Sequence, residues 1–247
     1  MSAECKINKT TVKWTLDTKF VKEIKHYLLT GKTEVAGDII FKDTSVCKKG
    51  ICDKKSTTNY KIHTGQNDSV MTPTGLINFH THPQSIYTSE ETKYGWPSGE
   101  DMAQVIQFAK LNTLRHIVFT VEGAYIIKVN KKVSIYHAKM IENVLRFTHI
   151  YRSLDQNKQI KDFRKDFGVT GRTTVNMWLN LVNNLTLNKL YKYYNLFNKN
   201  KRKVPTNKEV HDNIFTVQLK KLNNNFTFEA NHIHEECHFT LYGLSPE

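Results

Sequence analysis

The spacing of apolar positions changes several times along the chain, and each change marks an element. In "LDTKFVKEIKHYLLTG" (16–31), Phe20, Val21, Ile24, Tyr27 and Leu28 recur at helical spacing and Gly31 supplies a stop. "TEVAGDIIFKD" (33–43) predicts a strand, and the polar, cationic residues 44–58 predict a loop. "NYKIHTG" (59–65) and "GLINFHTH" (75–82) predict strands on either side of turn chemistry that includes Pro73 and Gly75. Residues 83–97 are polar, hold two prolines and predict a second loop. "SGEDMAQVIQFAKLN" (98–112) places Met102, Val105, Ile106 and Ala109 on one helical face. "LRHIVFTVEGAYIIKVN" (114–130) predicts two strands that turn at "EGA".

This order predicts an α/β (α+β) domain over residues 1–133. From residue 134 the pattern changes. "SIYHAKMIENVLRFTHIYRSL" (134–154) and "TTVNMWLNLVNNLTLNKLYKYYNLF" (173–197) are long helical patterns, and "NIFTVQLKKL", "FTFEA" and "CHFTLYGL" predict three short strands. The segment 134–247 is therefore a helical and β extension, either a small separate domain or an elaboration packed on the first.

Composition narrows the class. A chain of 247 residues with 39% hydrophobic content is long enough for one good core and a second small one. Its net charge of +13 is spread as +6 over residues 1–135 and +7 over 136–247, which favours anionic partners without selecting nucleic acid. No window approaches ~18 apolar residues, so no membrane span is expected. "MSAECKINKTTVKW" lacks the apolar centre of a signal peptide, and Cys5, Cys47, Cys52 and Cys237 read as reduced thiols. Together these predict a cytoplasmic or nuclear setting.

Candidate chemistry concentrates in "GLINFHTHPQSIYTSEETKYGWPSGEDM" (75–102). In a strand, His80 and His82 point to one face, roughly 6–7 Å apart along the backbone, a workable bite for one metal ion. Ser98 and Asp101 have the form of a helix capping box, which fixes Asp101 rigidly in the first turn. Glu34 opens an apolar strand and is followed by the small residues Ala36 and Gly37. Each piece alone has an ordinary structural explanation.

In this order the pieces resemble the JAMM (MPN-plus) metalloprotease family. A Glu on an early strand precedes "HTHP", then Ser-x-x-Asp opens a helix; "TGLINFHTHP" looks like the family's ligand strand, and "HIVFTVEGAYII" is similar to the strand pair after it. The resemblance covers roughly residues 20–130. It implies an MPN/JAMM-like (cytidine-deaminase-like) mixed sheet flanked by helices and one Zn²⁺ per chain. His80, His82 and Asp101 would bind the metal, Glu34 would be general base and acid, and Ser98 would hydrogen-bond the oxyanion. The implied reaction is metallopeptidase or isopeptidase cleavage of a ubiquitin or ubiquitin-like conjugate. Fifteen residues separate His82 from Ser98, about twice the family's usual number. Loop-closure cost rises slowly with length, so this insertion is expected to leave the ligands in place.

Other features have weaker chemistry. "NHIHEECH" (231–238) holds His232, His234, Cys237 and His238 at no defensible zinc spacing. "KLYKYYNLFNKNKRKVPTNK" (189–208) has seven Lys/Arg and no acid, with Tyr191, Tyr193 and Tyr194 interleaved. Phosphates and bases suit such a pattern, but a helix with half-buried tyrosines before a solvated basic loop explains it better. Trp14 and Trp178 read as core. Trp96 reads as a hydrophobic staple or a groove-lining residue. The rival function is a non-catalytic MPN-like scaffold, or a nucleic-acid- or particle-associated structural protein, using the basic C-terminal half to meet a protein partner. The Asn/Lys-rich composition would suit a large DNA virus, in which case the protein could be virion-associated.

Overall fold

Period-two alternation on the two central strands sets up the architecture. The computed structural model describes residues 3–48, 51–56, 61–65, 70–89, 93–130, 133–146, 161–162, 165–166, 174–204 and 211–239, with the backbone alone at 3–11, 42–48, 51–56, 61, 88–89 and 231–239. In chain order the strands are β1 (Ala3–Thr15), β2 (Val35–Asp38), β3 (Phe41–Lys48), β4 (Ile51–Ser56), β5 (Lys61–Thr64), β6 (Ile77–His82), β7 (Arg115–Thr120), β8 (Gly123–Val129), β9 (Phe215–Lys220) and β10 (Thr227–Phe239). The helices are α1 (Thr18–Thr30), α2 (Gln84–Ser89), α3 (Gly99–Lys110), α4 (Ala138–Leu145), α5 (Val175–Asn183) and α6 (Leu187–Phe197).

Six strands form a mixed sheet in the order β5-β2-β6-β7-β8-β9, in which only β6 and β7 pair in parallel. Four others form a second sheet, β10-β1-β4-β3. The fold is thus mixed α/β, with helices against the mixed sheet.

Each face of that sheet has its own core. Ile77 and Phe79 of β6, with Ile117 and Phe119 of β7, join Phe20, Val21, Ile24 and Leu28 of α1. Phe20 stands edge-on to Phe79 and Phe119, with ring centroids 5.4 and 5.8 Å apart. On the opposite face, Val118 of β7 and Tyr125 and Ile127 of β8 meet Met102, Val105 and Ile106 of α3, backed by residues of α4, α5 and α6. A buried large apolar side chain contributes roughly 1.5–3 kcal/mol, so these two layers hold the central strands in register from both sides. Asn78, His80, His82 and His116 fall on the helix-layer face by the same alternation.

The 134–247 segment contributes to both sheets: β9 pairs with β8 and β10 pairs with β1. Gly123, at φ +151°, makes the turn into β8, where a Cβ would come within 2.6 Å of the Lys220 carbonyl.

Several elements differ from their sequence-based expectations. Residues 33–43 form two strands in two sheets, because the chain turns at Ile39 and Ile40; Ile39 is buried with its N–H on the Ile77 carbonyl, and Ile40 is exposed. Residues 44–58, expected as loop, include the end of β3 and all of β4, since ladder hydrogen bonds do not require apolar side chains. The 83–97 loop contains α2. The helical pattern at 173–197 breaks between α5 and α6, where Thr186 caps the second helix by accepting the Lys189 N–H. The strand pattern "FTFEA" runs on as the single long β10, and β1 had no sequence-based expectation at all. The end of the 134–154 helical pattern and the end of "CHFTLYGL" lie outside the described residues.

Candidate metal centre

Four residues from three parts of the sequence converge beside β6. His80 and His82 project from the strand itself, with side chains only 5% and 10% exposed. Glu34 precedes β2, whose Ala36 lies opposite His80. Its position is fixed because the Val35 N–H donates to Thr81 Oγ1 at 3.0 Å, and Thr81 lies between the two histidines. Asp101 comes from the first turn of α3. There the capping box is complete: the Asp101 N–H donates to Ser98 Oγ (3.1 Å) and the Ser98 N–H donates to Asp101 Oδ2 (2.6 Å). The expected helix start and the expected carboxylate position are one structure.

The distances suit a small cation. His80 Nε2 and His82 Nε2 lie 3.0 Å apart. Asp101 Oδ1 is 3.4 Å from His80 Nε2, and its Oδ2 is 3.5 Å from His82 Nε2. Tetrahedral zinc with bonds of 2.0–2.1 Å requires ligand atoms about 3.3 Å apart, and each of these pairwise separations is near that value, the Asp101 carboxylate meeting each imidazole through a different oxygen. Glu34 Oε1 is 3.4 Å from His82 Nε2, and ligand atoms of Glu34, His80 and His82 lie within 4.8 Å of one another. This buried group could hold a metal ion. Asp101 is the most exposed of the four, its side chain 17% exposed.

Hydrogen bonds on the far side of each ring decide where the lone pairs point. His82 Nδ1 lies 2.8 Å from the Gly95 carbonyl, which can only accept; the Nδ1 proton is therefore there and Nε2 faces the site. His80 Nδ1 lies 2.8 Å from His116 Nε2, and His116 Nδ1 lies 2.8 Å from Asn78 Oδ1. Asn78 Nδ2 donates to the Pro73 carbonyl at 2.8 Å, which fixes the orientation of the amide. His116 Nδ1 must therefore donate, His116 Nε2 accepts, and His80 Nδ1 donates to it. Both Nε2 lone pairs then face each other at 3.0 Å, an arrangement that needs a shared cation.

Without a metal, a proton takes that place. Burial alone would lower His82, but Asp101, Glu34 and the Gly95 carbonyl raise it to about 9. Burial brings His80 down to about 4, with Asp101 opposing and His82 reinforcing. Burial likewise holds His116 well below the usual histidine range, in keeping with a neutral ring. For Asp101, burial acts upward, yet the charges of His80 and His82 and the Ser98 N–H hold it well below the usual carboxylate range.

The inserted segment is tied to this centre. The Gly95 N–H donates to Glu122 Oε1 at 2.8 Å, while Tyr87 and Tyr125 donate to the same carboxylate at 2.7 and 3.0 Å. Burial, then Glu122, pushes both tyrosines upward, so they remain neutral donors. A Cβ on Gly95 would run into the Tyr87 ring, so glycine permits the close approach.

The structure thus brings together Glu34, His80, His82, Ser98 and Asp101. Asn78, His116, Gly95 and Glu122 were not singled out from the sequence. Asn78 could have been, since it shares its strand face with His80 and His82; His116 required knowing that β6 and β7 pair in parallel.

Other candidates find structural roles. Trp14 and Trp178 are core, and Trp96 packs in the helix layer, stacked on Trp178 and Tyr94 at 6.2 and 5.4 Å. Tyr191, Tyr193 and Tyr194 are buried on α6, and Arg202 lies over the rings of Tyr136 and Tyr194. "NHIHEECH" lies in β10, where side chains are outside the described residues. Among the described residues no helix is long and apolar enough to cross a membrane.

No protein-family model and no solved structure matches the chain. A 64-residue stretch, 26% of the chain, is 36% identical to uncharacterized protein 3R of Frog virus 3 (isolate Goorha), and it covers 14% of that relative.

Proposed function

We propose that this protein is a zinc-dependent metallopeptidase of the JAMM type, with an MPN-like form of the mixed α/β fold. Its substrate on this reading is an isopeptide-linked conjugate of ubiquitin or a ubiquitin-like protein. The observation that carries the reading is the convergence of the His80 and His82 Nε2 atoms, 3.0 Å apart, on the Asp101 carboxylate, whose Oδ1 is 3.4 Å from His80 and Oδ2 3.5 Å from His82, with a second carboxylate beside it. His80, His82 and Asp101 would hold the ion, with the Asp101 carboxylate facing both imidazoles, Oδ1 towards His80 and Oδ2 towards His82. Zinc bound there would supply a Lewis acid, polarising a scissile carbonyl and bringing the pKa of a water towards ~7.

The chain's own residues supply the rest. Glu34 Oε1, buried at the edge of the site, takes a proton from the attacking water and delivers it to the departing amine. Ser98 Oγ accepts from Asp101, and among the described residues its own proton has no acceptor, leaving it to donate to the tetrahedral oxyanion. No covalent intermediate is required. The likeness to a frog virus protein supports a viral origin, and a reaction inside the infected cell is consistent with the substrate.

The test is incubation of zinc-loaded protein with a panel of ubiquitin dimers, with and without chelator, beside Glu34→Gln. Cleavage that disappears with chelator and in the variant is expected. Undiminished cleavage by Glu34→Gln, or no cleavage of any dimer by the wild type, would count against the reading.

A further inference from the structure

The two ligand histidines are anchored differently. His82 leans on a backbone carbonyl, whereas His80 leans on another side chain, which leans on a third. Asn78 and His116 are 0% and 1% exposed and touch no substrate-accessible space. They lie in an apolar layer, with the Phe108 ring 5.3 Å from His116. Placing an amide and an imidazole there is costly unless every hydrogen bond is made. Here every side-chain polar atom of the two residues has a partner: Asn78 Nδ2 donates to Pro73 O, His116 Nδ1 to Asn78 Oδ1, and His80 Nδ1 to His116 Nε2.

We propose that His116 and Asn78 are positioning residues of the metal centre, a neutral relay that holds His80 in its Nδ1–H tautomer and so turns its Nε2 lone pair towards the ion. The inference rests on the metal-centre reading. A neutral histidine free in water favours the opposite tautomer, with its proton on Nε2, which would block ligation. The Pro73 carbonyl, which can only accept, fixes the direction of the whole chain of donors. Partners behind metal-bound histidines commonly act in this way, orienting the ring and setting its proton. The relay contains no carboxylate, so it orients His80 without adding negative charge.

The experiment measures zinc dissociation constants by competition with a chromophoric chelator for wild type, His116→Phe, Asn78→Leu and the double variant. Each single variant should bind about 10–100-fold more weakly. The double variant should be no weaker than His116→Phe, because Asn78 acts only through His116; independent packing roles would instead multiply. His116→Gln, whose carbonyl can accept from His80 Nδ1, should recover part of the loss. Should the aromatic variant fail to fold, nitrogen-15 shifts of the metal-free wild type decide the question: a proton on His80 Nδ1 is expected, and one on its Nε2 overturns the relay. If wild type binds zinc and both single variants bind it equally tightly, the relay fails and the metal centre stands. If wild type binds no zinc, both fail.

Discussion

His80 Nε2 and His82 Nε2 lie 3.0 Å apart, each on a ring whose other nitrogen is already committed as a donor. A buried pair of lone pairs at that separation is stable only around a positive charge. The consequences can be measured separately.

Glu34→Gln should retain zinc and lose hydrolysis by on the order of 10²–10⁴-fold, since it removes the proton carrier and leaves His80, His82 and Asp101. Parallel measurement of zinc content and peptidase rate checks this. Loss of zinc in Glu34→Gln would make Glu34 a ligand instead.

Ser98 has two roles that substitution can separate. Ser98→Ala removes the cap of α3 and should cost about 1 kcal/mol of stability, whereas Ser98→Gly should cost only a few tenths, roughly, by the same capping energetics. Both lack the hydroxyl, so both should lose about 10²–10³-fold in kcat. Denaturant unfolding beside kinetics tests the pair. Activity that tracked stability would remove the oxyanion role.

The metal-free protein should be most stable near neutral to slightly acid pH. His82, raised to about 9 against 6.5 unfolded, stabilises fully below pH 6.5 and loses that contribution as pH climbs through 9. His80, lowered to about 4, contributes above pH 6.5 and loses its contribution as pH falls through 4. Thermal unfolding in chelator should therefore show the midpoint falling on both sides. Zinc must displace the His82 proton, so its apparent affinity should rise about tenfold per pH unit up to pH 9. A pH-independent affinity would contradict this.

Gly95→Ala should weaken zinc binding without touching a ligand. The added Cβ meets the Tyr87 ring, so the segment must shift and draw the Gly95 carbonyl from His82. Chelator competition should register about a 10-fold loss, the lower end for such supporting partners. Wild-type affinity would mean that the inserted segment is not coupled to the centre.

The parts of the site that lie within a few residues of one another were legible in the sequence. His80 and His82 share a strand face at i and i+2, and Ser98 and Asp101 form a local capping box, so short-range rules located them. Glu34 came only from its place in the order of the motif. The supporting residues were hidden because they depend on tertiary register: His116 lies opposite Asn78 on a parallel neighbour, and Glu122 reaches Gly95 from the β7–β8 turn. In the fold, periodicity located α1, α3, β6, β7 and β8, which each bury one face or two. It missed the end of β3 and all of β4, whose polar text is held by backbone pairing, and it did not find the turn at Ile39 that passes the chain between sheets.

The most direct measurement is elemental analysis of zinc-loaded, dialysed protein, for wild type and for the variant carrying His80→Ala with His82→Ala. One zinc per chain in the wild type and none in the variant is the predicted result. A wild type that retains no zinc, or a variant that retains it in full, would contradict a centre built on these two imidazoles.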